Sequence, residues 1–141
     1  MRTRLVLATL PIALVGVVAA TPGAAAPKET SKSYTAAASP DPTPNAEGGC
    51  SRGIPGGEHI EPFKAPVAGK ITVEMTAFSG DWDLCLFDKS GKLLGSSTGF
   101  IEATKEVVSL KLKKPTEIEI VAQNLIGSPT AAVKYVFTPN R

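Results

Sequence analysis

The stretch GDWDLCLFD, from Gly80 to Asp88, concentrates side chains that could do chemistry. It holds three aspartates, the only tryptophan and one of the two cysteines of the chain. Paired carboxylates can act as a general acid and base, or they can supply the oxygen ligands that calcium prefers. Whether these residues form a site or only the rim of a β-hairpin depends on the compartment and the fold.

The first two aspartates of this stretch are candidate metal ligands. Asp81 and Asp83 alternate onto the same side of an extended chain, so together they could supply oxygen ligands to a calcium ion, although no EF-hand-like spacing accompanies them. Asp88 lies roughly 17 Å from Asp83, at about 3.3 Å per residue, and cannot share that ion. It opens the turn DKSGK, where an aspartate side chain accepts hydrogen bonds from backbone N–H groups. Trp82 is either a stacking platform that contacts a sugar or the cover of a core edge.

The sequence contains no convincing catalytic constellation. A Ser-His-Asp triad needs a histidine beside the serine, and His59 is the only histidine in the chain. It lies in GGEHIEP, where an exposed residue at the start of a strand is the simpler interpretation. A zinc site would need more ligands than two cysteines and one distant histidine. We therefore predict a protein that is not an enzyme, with no catalytic residues and no required cofactor.

The N-terminus has the three-part pattern of a secretory signal peptide. Arg2 and Arg4 form a short basic region, Leu5 to Ala20 is an almost uncharged apolar run, and small residues follow. The apolar run is shorter than the roughly 20 residues that a transmembrane helix needs. The sequence predicts a signal peptide over residues 1–25, with cleavage after Ala20 as the alternative. The predicted location is extracellular, with no stable membrane anchor.

Charge excludes one class of partner. The full chain carries 15 basic and 13 acidic residues, and the signal peptide removes two arginines, so the mature protein is near neutral. Lys111 and Lys113 lie on the exposed face of a predicted strand. Nucleic-acid binding needs a broad basic stripe, and the sequence shows none. The predicted partners are extracellular polymers or proteins.

Cys50 and Cys85 are the only cysteines in the chain. An even count in an exported protein favours one disulfide bond between them. The bond would close a loop of about 35 residues, for which the chain-entropy model gives roughly 3–4 kcal/mol of stabilisation.

Composition divides the mature chain into two parts. Residues 26–49 are rich in Ala, Ser, Thr and Pro and contain one aromatic residue, Tyr34. Such a segment cannot bury enough apolar surface to offset its ordering entropy, so we predict a disordered leader. The folded domain is predicted over residues 50–141.

Two-residue alternation of apolar and polar side chains runs through the folded part. The segments KITVEMTA, EVVSLKLK, TEIEIVAQ and AAVKYVFT each predict a half-buried strand. In TEIEIVAQ, for example, the predicted outward residues are Glu117, Glu119 and Gln123. Shorter strands at Leu84–Phe87 and Leu93–Ser97 flank the turn DKSGK. Another is predicted at Ile60–Lys64. Seven or so short strands with no helical period predict an all-β sandwich or small barrel.

One known family shares this arrangement of motifs. GDWDLCLFDKSGKLLGSS, followed by an alternating strand and then KPTEIEIVAQNLIGSPTAAVKYVFT, resembles the bacterial pre-peptidase C-terminal (PPC) domain. The likeness covers roughly Glu58 to Thr138. It implies an antiparallel, jelly-roll-like β-sandwich of about seven to eight short strands that is mostly non-catalytic and binds calcium in some members. Family roles are substrate attachment, secretion or stability.

Two features depart from that family pattern. No peptidase precedes the module in this chain, and Cys85 occupies the aromatic position of the DLYLYD-type strand. Both departures favour a free-standing secreted variant that a disulfide stabilises. The predicted function is therefore a secreted, non-catalytic module in a binding or accessory role outside the cell. One alternative is a carbohydrate-binding module that uses Trp82, Asp81 and Asp83, and another is a small secreted hydrolase.

Overall fold

The computed structural model describes residues 26–41, 49–99 and 103–140. These residues form eight strands in two four-stranded sheets. The strands are β1 (Thr30–Ala37), β2 (Glu58–Ala65), β3 (Gly69–Thr76), β4 (Gly80–Asp88), β5 (Leu93–Thr98), β6 (Lys105–Leu112), β7 (Thr116–Gly127) and β8 (Thr130–Pro139). Among the described residues, no helix is long and apolar enough to cross a lipid bilayer. The predicted signal peptide lies outside them.

The strands are connected as in a jelly roll. Sheet A has the strand order β1-β8-β3-β6, and sheet B has the order β2-β7-β4-β5. The chain thus forms nested antiparallel pairs of β1 with β8, β2 with β7, β3 with β6 and β4 with β5. This nesting is the connectivity of a double-sheet jelly roll. The predicted all-β, jelly-roll-like sandwich of seven to eight strands is confirmed.

The core lies between the two sheets and follows the predicted alternation. Phe63 of β2 packs against two aromatic rings of β8, with centroid distances of 5.1 Å to Tyr135 and 5.5 Å to Phe137. Most residues predicted to point inward are buried, among them Ile71, Val73, Met75, Val108, Leu112, Ile118, Ile120, Ala122 and Val133. Ala77, the last inward position in the alternation of KITVEMTA, is an exception. It is exposed because β3 ends before it and its φ of 54° turns the chain away.

The predicted disordered leader is wrong for part of its length. Thr30–Ala37 form β1, which pairs with β8 from Thr30↔Phe137 to Ala37↔Thr130. This stretch has little apolar surface, but the edge of β8 satisfies its backbone hydrogen bonds, and Ala36 is fully buried. Tyr34 also stacks on the imidazole of His59 at 5.4 Å. The folded domain therefore begins well before residue 50, while residues 42–48 lie outside the described part of the chain.

The turn DKSGK has the predicted geometry. The Asp88 carboxylate accepts hydrogen bonds from the Ser90 N–H at 2.8 Å, the Ser90 hydroxyl at 2.6 Å and the Lys92 N–H at 3.0 Å. These bonds, with the Ser90 hydroxyl first, lower the pKa of Asp88 from its ordinary value. Gly91 takes a φ of 84°, which suits glycine better than other residues. Asp88 is therefore a turn residue, as predicted.

The exchange Asp88→Ala is expected to lower the melting temperature by a few degrees, because two backbone N–H groups lose their acceptor. Asp88→Asn keeps a side-chain oxygen and should retain most of the stability. Thermal unfolding followed by circular dichroism compares the two variants. An Asp88→Ala melting curve that superimposes on that of the natural protein would contradict the stabilising function of this side chain.

Candidate functional site

The predicted Cys50–Cys85 bond is present in the structure, with the two Cα atoms 5.8 Å apart. Cys85 lies on the outer face of sheet B, where it forms a small apolar cluster with Phe87 and Val121. Cys50 packs against this cluster from the segment that precedes β2. The disulfide therefore fastens the segment Cys50–Arg52, here called the cover, over the outer face of sheet B.

This cover explains the composition of β4. A strand with one exposed face alternates between apolar and polar residues, whereas β4 is buried on both faces from Trp82 to Phe87. Its inward residues, Trp82, Leu84 and Leu86, belong to the main core. Its outward residues Cys85 and Phe87 lie beside Cys50 and Arg52 of the cover. The near-continuous apolar run WDLCLF is thus the pattern of a strand between two packed layers.

Polar contacts hold the cover in place beside the disulfide. The side-chain oxygen of Gln123 accepts the Ser51 N–H at 3.1 Å, and its amide donates to the Ser51 carbonyl. Arg52 forms an ion pair with Glu119 and lies 5.6 Å from the centroid of the Phe87 ring. Gln123 points outward as predicted, but it is only 1% exposed and not solvated. Alternation predicts on which face of the sheet a side chain lies, but it does not predict whether another segment covers that face.

Trp82 does not present a surface for stacking. The side chain is 1% exposed and packs in the main core between the sheets. Its indole N–H donates a hydrogen bond to the Ser128 carbonyl at 3.1 Å. The prediction of ligand contact at Trp82 is therefore wrong, and the alternative interpretation, that the ring covers a core edge, is the one that the structure has.

Asp83 is the unusual carboxylate of the stretch. It lies on the outer face of β4, opposite Thr98 of β5 and Gln123 of β7, and is only 3% exposed. Its burial, together with the nearby charges of Asp81 and Glu106, raises the pKa of Asp83 to about 7. Asp81 itself is half-exposed at the start of the strand.

Glu106 of β6 completes this group of acids and was not a candidate from the sequence. It is 2% exposed, and its carboxylate accepts hydrogen bonds from the Gly99 N–H at 3.0 Å and from the Ser97 hydroxyl. These contacts tie the end of β5 to the start of β6 and so join the edges of the two sheets. Glu106 has the same strand parity as the inward-facing Val108, and this was the signal that it would be buried.

The described residues do not bring together a set of metal ligands. Calcium takes six to eight oxygen ligands, and Glu106 already accepts hydrogen bonds from Ser97 and Gly99. Within residues 26–41, 49–99 and 103–140, no group of three His, Cys, Asp or Glu side chains could hold a metal ion. Calcium at Asp81 and Asp83 stays a prediction.

Asp83 makes the stability of the protein depend on pH. Its carboxyl titrates near 3.8 in the unfolded chain and near 7 in the folded protein, so the folded state binds the proton more tightly between these values. The stabilisation is fully present below the lower pKa and is lost as the pH rises through the upper one. We expect the free energy of unfolding to fall by up to about 1.4 kcal/mol per pH unit in this window.

The variant Asp83→Asn should remove this slope, because a neutral amide of the same shape replaces the titrating group. Asp81→Asn is the matched control and should keep most of the slope, since burial is the larger cause of the raised pKa. Urea denaturation between about pH 5 and about pH 8 measures both variants. Equal slopes in Asp83→Asn and the natural protein would show that another group titrates.

His59 lies at the start of β2, as predicted, but it is half-buried against β1 and is not the exposed residue that was expected. Its Nδ1 accepts the backbone N–H of Ala37 at 3.4 Å, and its ring stacks on Tyr34. The neighbouring Glu61 forms an ion pair with Lys32 of β1 at 2.5 Å. The imidazole therefore helps to hold the edge strand against sheet B.

No protein-family model matches the chain, and a search of curated proteins found no match. The likeness to the PPC domain consequently stays a prediction from the sequence motifs.

Proposed function

We propose that this protein is a secreted, non-catalytic β-sandwich module that works outside the cell, through surface binding or as an accessory to other exported proteins. The observation that supports this function is how the fold uses the reactive side chains of GDWDLCLFD. Cys85 is bonded to Cys50, Trp82 packs in the core, and Asp88 shapes a turn. Each of these three residues has a structural function that accounts for its presence.

Export is supported by the disulfide and by the N-terminal sequence pattern. Disulfides persist in oxidising compartments and are rare in the cytosol. The bond also stabilises a domain that is small and has a modest core. A stapled β-sandwich of this kind presents broad sheet faces, which suit binding to a large partner better than enclosing a small substrate.

Expression of the full chain in a bacterial host tests secretion. We expect the protein in the culture medium, with an intact mass that shows cleavage after Ala25 or Ala20. Reduction and alkylation should then reveal two thiols that were bonded before. Retention of the full-length chain in the cytoplasm with both cysteines reduced would contradict the proposal.

Substrate panels test the non-catalytic part of the proposal. Esterase, glycosidase and peptidase substrates should give no turnover with the purified protein. Asp83→Asn provides the matched control, because burial raises the pKa of Asp83 to about 7, which suits a general acid or base. Turnover by the natural protein that the Asp83→Asn variant has lost would show that the protein is an enzyme and would contradict the proposal.

A further inference from the structure

The outer face of sheet A carries more positive than negative charge. Four lysines point outward from its strands, Lys70 from β3, Lys105 and Lys111 from β6 and Lys134 from β8. The one outward carboxylate on these strands is Glu74, which pairs with Lys105 at 2.6 Å and is the register partner of Lys134. Glu29, just before β1, accepts a hydrogen bond from Thr138, the register partner of Lys70. The other three lysines form no ion pair with any described residue. Four lysines against these two carboxylates leave the face with a net positive charge.

Two of these lysines lie directly opposite each other. Lys70 and Lys111 are register partners in the β3–β6 ladder, and both are exposed. Like charges at directly opposed positions destabilise an antiparallel pair. Lys113 and Lys114, also exposed, follow immediately after β6 and add to the positive charge at this end of the sheet. An anionic partner would relieve this repulsion.

Two hydroxyl groups lie on the face beside the Lys70–Lys111 pair. The Thr72 and Ser109 side chains are 3.0 Å apart, and Val136 of β8 separates Thr72 from Ser31 of β1. Lys134 lies beyond the two hydroxyls, four residues along β8 from the register partner of Lys70. The two cationic positions are thus about 13 Å apart at roughly 3.3 Å per residue. Such a span fits a stretch of polymer better than a single small anion.

The composition of the face favours one class of polyanion. Hydroxyl side chains both donate and accept hydrogen bonds, which suits the hydroxyl groups of a sugar. No aromatic side chain points outward from sheet A, so bases of a nucleic acid have nothing to stack on. Val107 and Val136 are the outward branched apolar residues, which is too little to insert into a membrane.

We propose that the outer face of sheet A binds an acidic polysaccharide. Lys70, Lys111 and Lys134 contact the carboxylate or sulfate groups of the polymer, and Thr72 and Ser109 bond to its hydroxyls. This assignment rests on the proposed function as an extracellular binding module and names the ligand class. The mature chain is near neutral overall, so the attraction comes from how charge is distributed and not from net charge.

The sulfated and unsulfated forms of one polymer, together with a carboxylated polymer, test the proposal directly. The mature protein is titrated with dextran sulfate, dextran and polygalacturonate by calorimetry. We expect binding to dextran sulfate and to polygalacturonate, and none to dextran. Binding should weaken with added salt, because the screening length is about 10 Å at an ionic strength of about 0.1 M. Equal binding of dextran and dextran sulfate would overturn the proposal.

A pair of charge-matched variants locates the face. The triple variant Lys70→Gln, Lys111→Gln, Lys134→Gln should bind dextran sulfate about tenfold more weakly than the natural protein. The control triple variant Lys64→Gln, Lys89→Gln, Lys92→Gln removes the same charge from the sheet B side and should bind within about twofold. Thermal melts verify that both variants fold. An equal loss in the two variants, or no loss in the first, would overturn the proposal.

Two further measurements separate the alternatives. Poly-glutamate, duplex DNA and anionic vesicles are titrated in the same buffer, and tighter binding of any of these would overturn the polysaccharide assignment. Size-exclusion chromatography of the polysaccharide after incubation detects chain shortening. Shortened chains would contradict the proposed non-catalytic function even if sheet A binds. If the polysaccharide stays intact and does not bind, only the proposed binding surface is overturned, and the proposed non-catalytic function is not.

Discussion

Replacing both cysteines, Cys50→Ala with Cys85→Ala, is expected to lower the free energy of unfolding by about 4 kcal/mol. The bond joins residues 35 apart in the sequence and so restricts the unfolded chain considerably. It also fastens the cover over Phe87 and Val121, whose apolar surface would otherwise be less protected. Because a domain of this size has roughly 5–15 kcal/mol of stability, the loss is a large fraction of the total.

Equilibrium unfolding in urea, followed by the fluorescence of the single tryptophan, measures this change. The natural protein under reducing conditions is the control, and it should unfold at nearly the same urea concentration as the double variant. A decrease below about 1 kcal/mol would mean that the cover is held by the contacts of Gln123 and Arg52 without help from the disulfide.

The second large effect is expected at Trp82. Trp82→Ala should lower the free energy of unfolding by about 3–5 kcal/mol, because it leaves a large cavity between the sheets. Trp82→Phe keeps an aromatic ring but loses the hydrogen bond to the Ser128 carbonyl, and should cost less. Since these variants lack the fluorescent reporter, far-ultraviolet circular dichroism follows their unfolding.

The two variants also decide between core packing and sugar contact. If Trp82 were a surface platform, Trp82→Ala would be nearly as stable as the natural protein and would lose binding to glycans. The buried position predicts the opposite pattern, a large loss of stability in Trp82→Ala and unchanged dextran sulfate binding in Trp82→Phe. A stable Trp82→Ala variant would contradict the packing described above.

Most strands could be predicted because alternation depends only on which side of a sheet faces the core. Val133, Tyr135 and Phe137 are buried in the predicted phase of β8. The strand β1 was missed because its sequence, TSKSYTAA, has little apolar surface, and the main stabilising contribution comes from pairing with β8. That partner lies about a hundred residues further along the chain, where no local pattern can indicate it.

Predictions for the site succeeded where a residue's chemistry is local and failed where it depends on tertiary contacts. The Asp88 turn and the disulfide followed from neighbouring residues and from cysteine count. The raised pKa of Asp83 comes from its burial and from the charges of Asp81 and Glu106, and Glu106 belongs to the other sheet, so this shift could not be anticipated. The opposed lysines, Lys70 and Lys111, likewise meet only through the register of β3 and β6.

The nested strand pairing has a consequence for the order of folding. The innermost pair, β4 with β5, is a local hairpin, whereas the outermost pair joins Thr30 to Phe137. Non-local pairs form slowly because the intervening chain must first be ordered. The first strand to emerge during synthesis or export is therefore the one that waits longest for its partner. A polar strand such as TSKSYTAA can wait unpaired with little tendency to aggregate, which gives a physical reason for its composition.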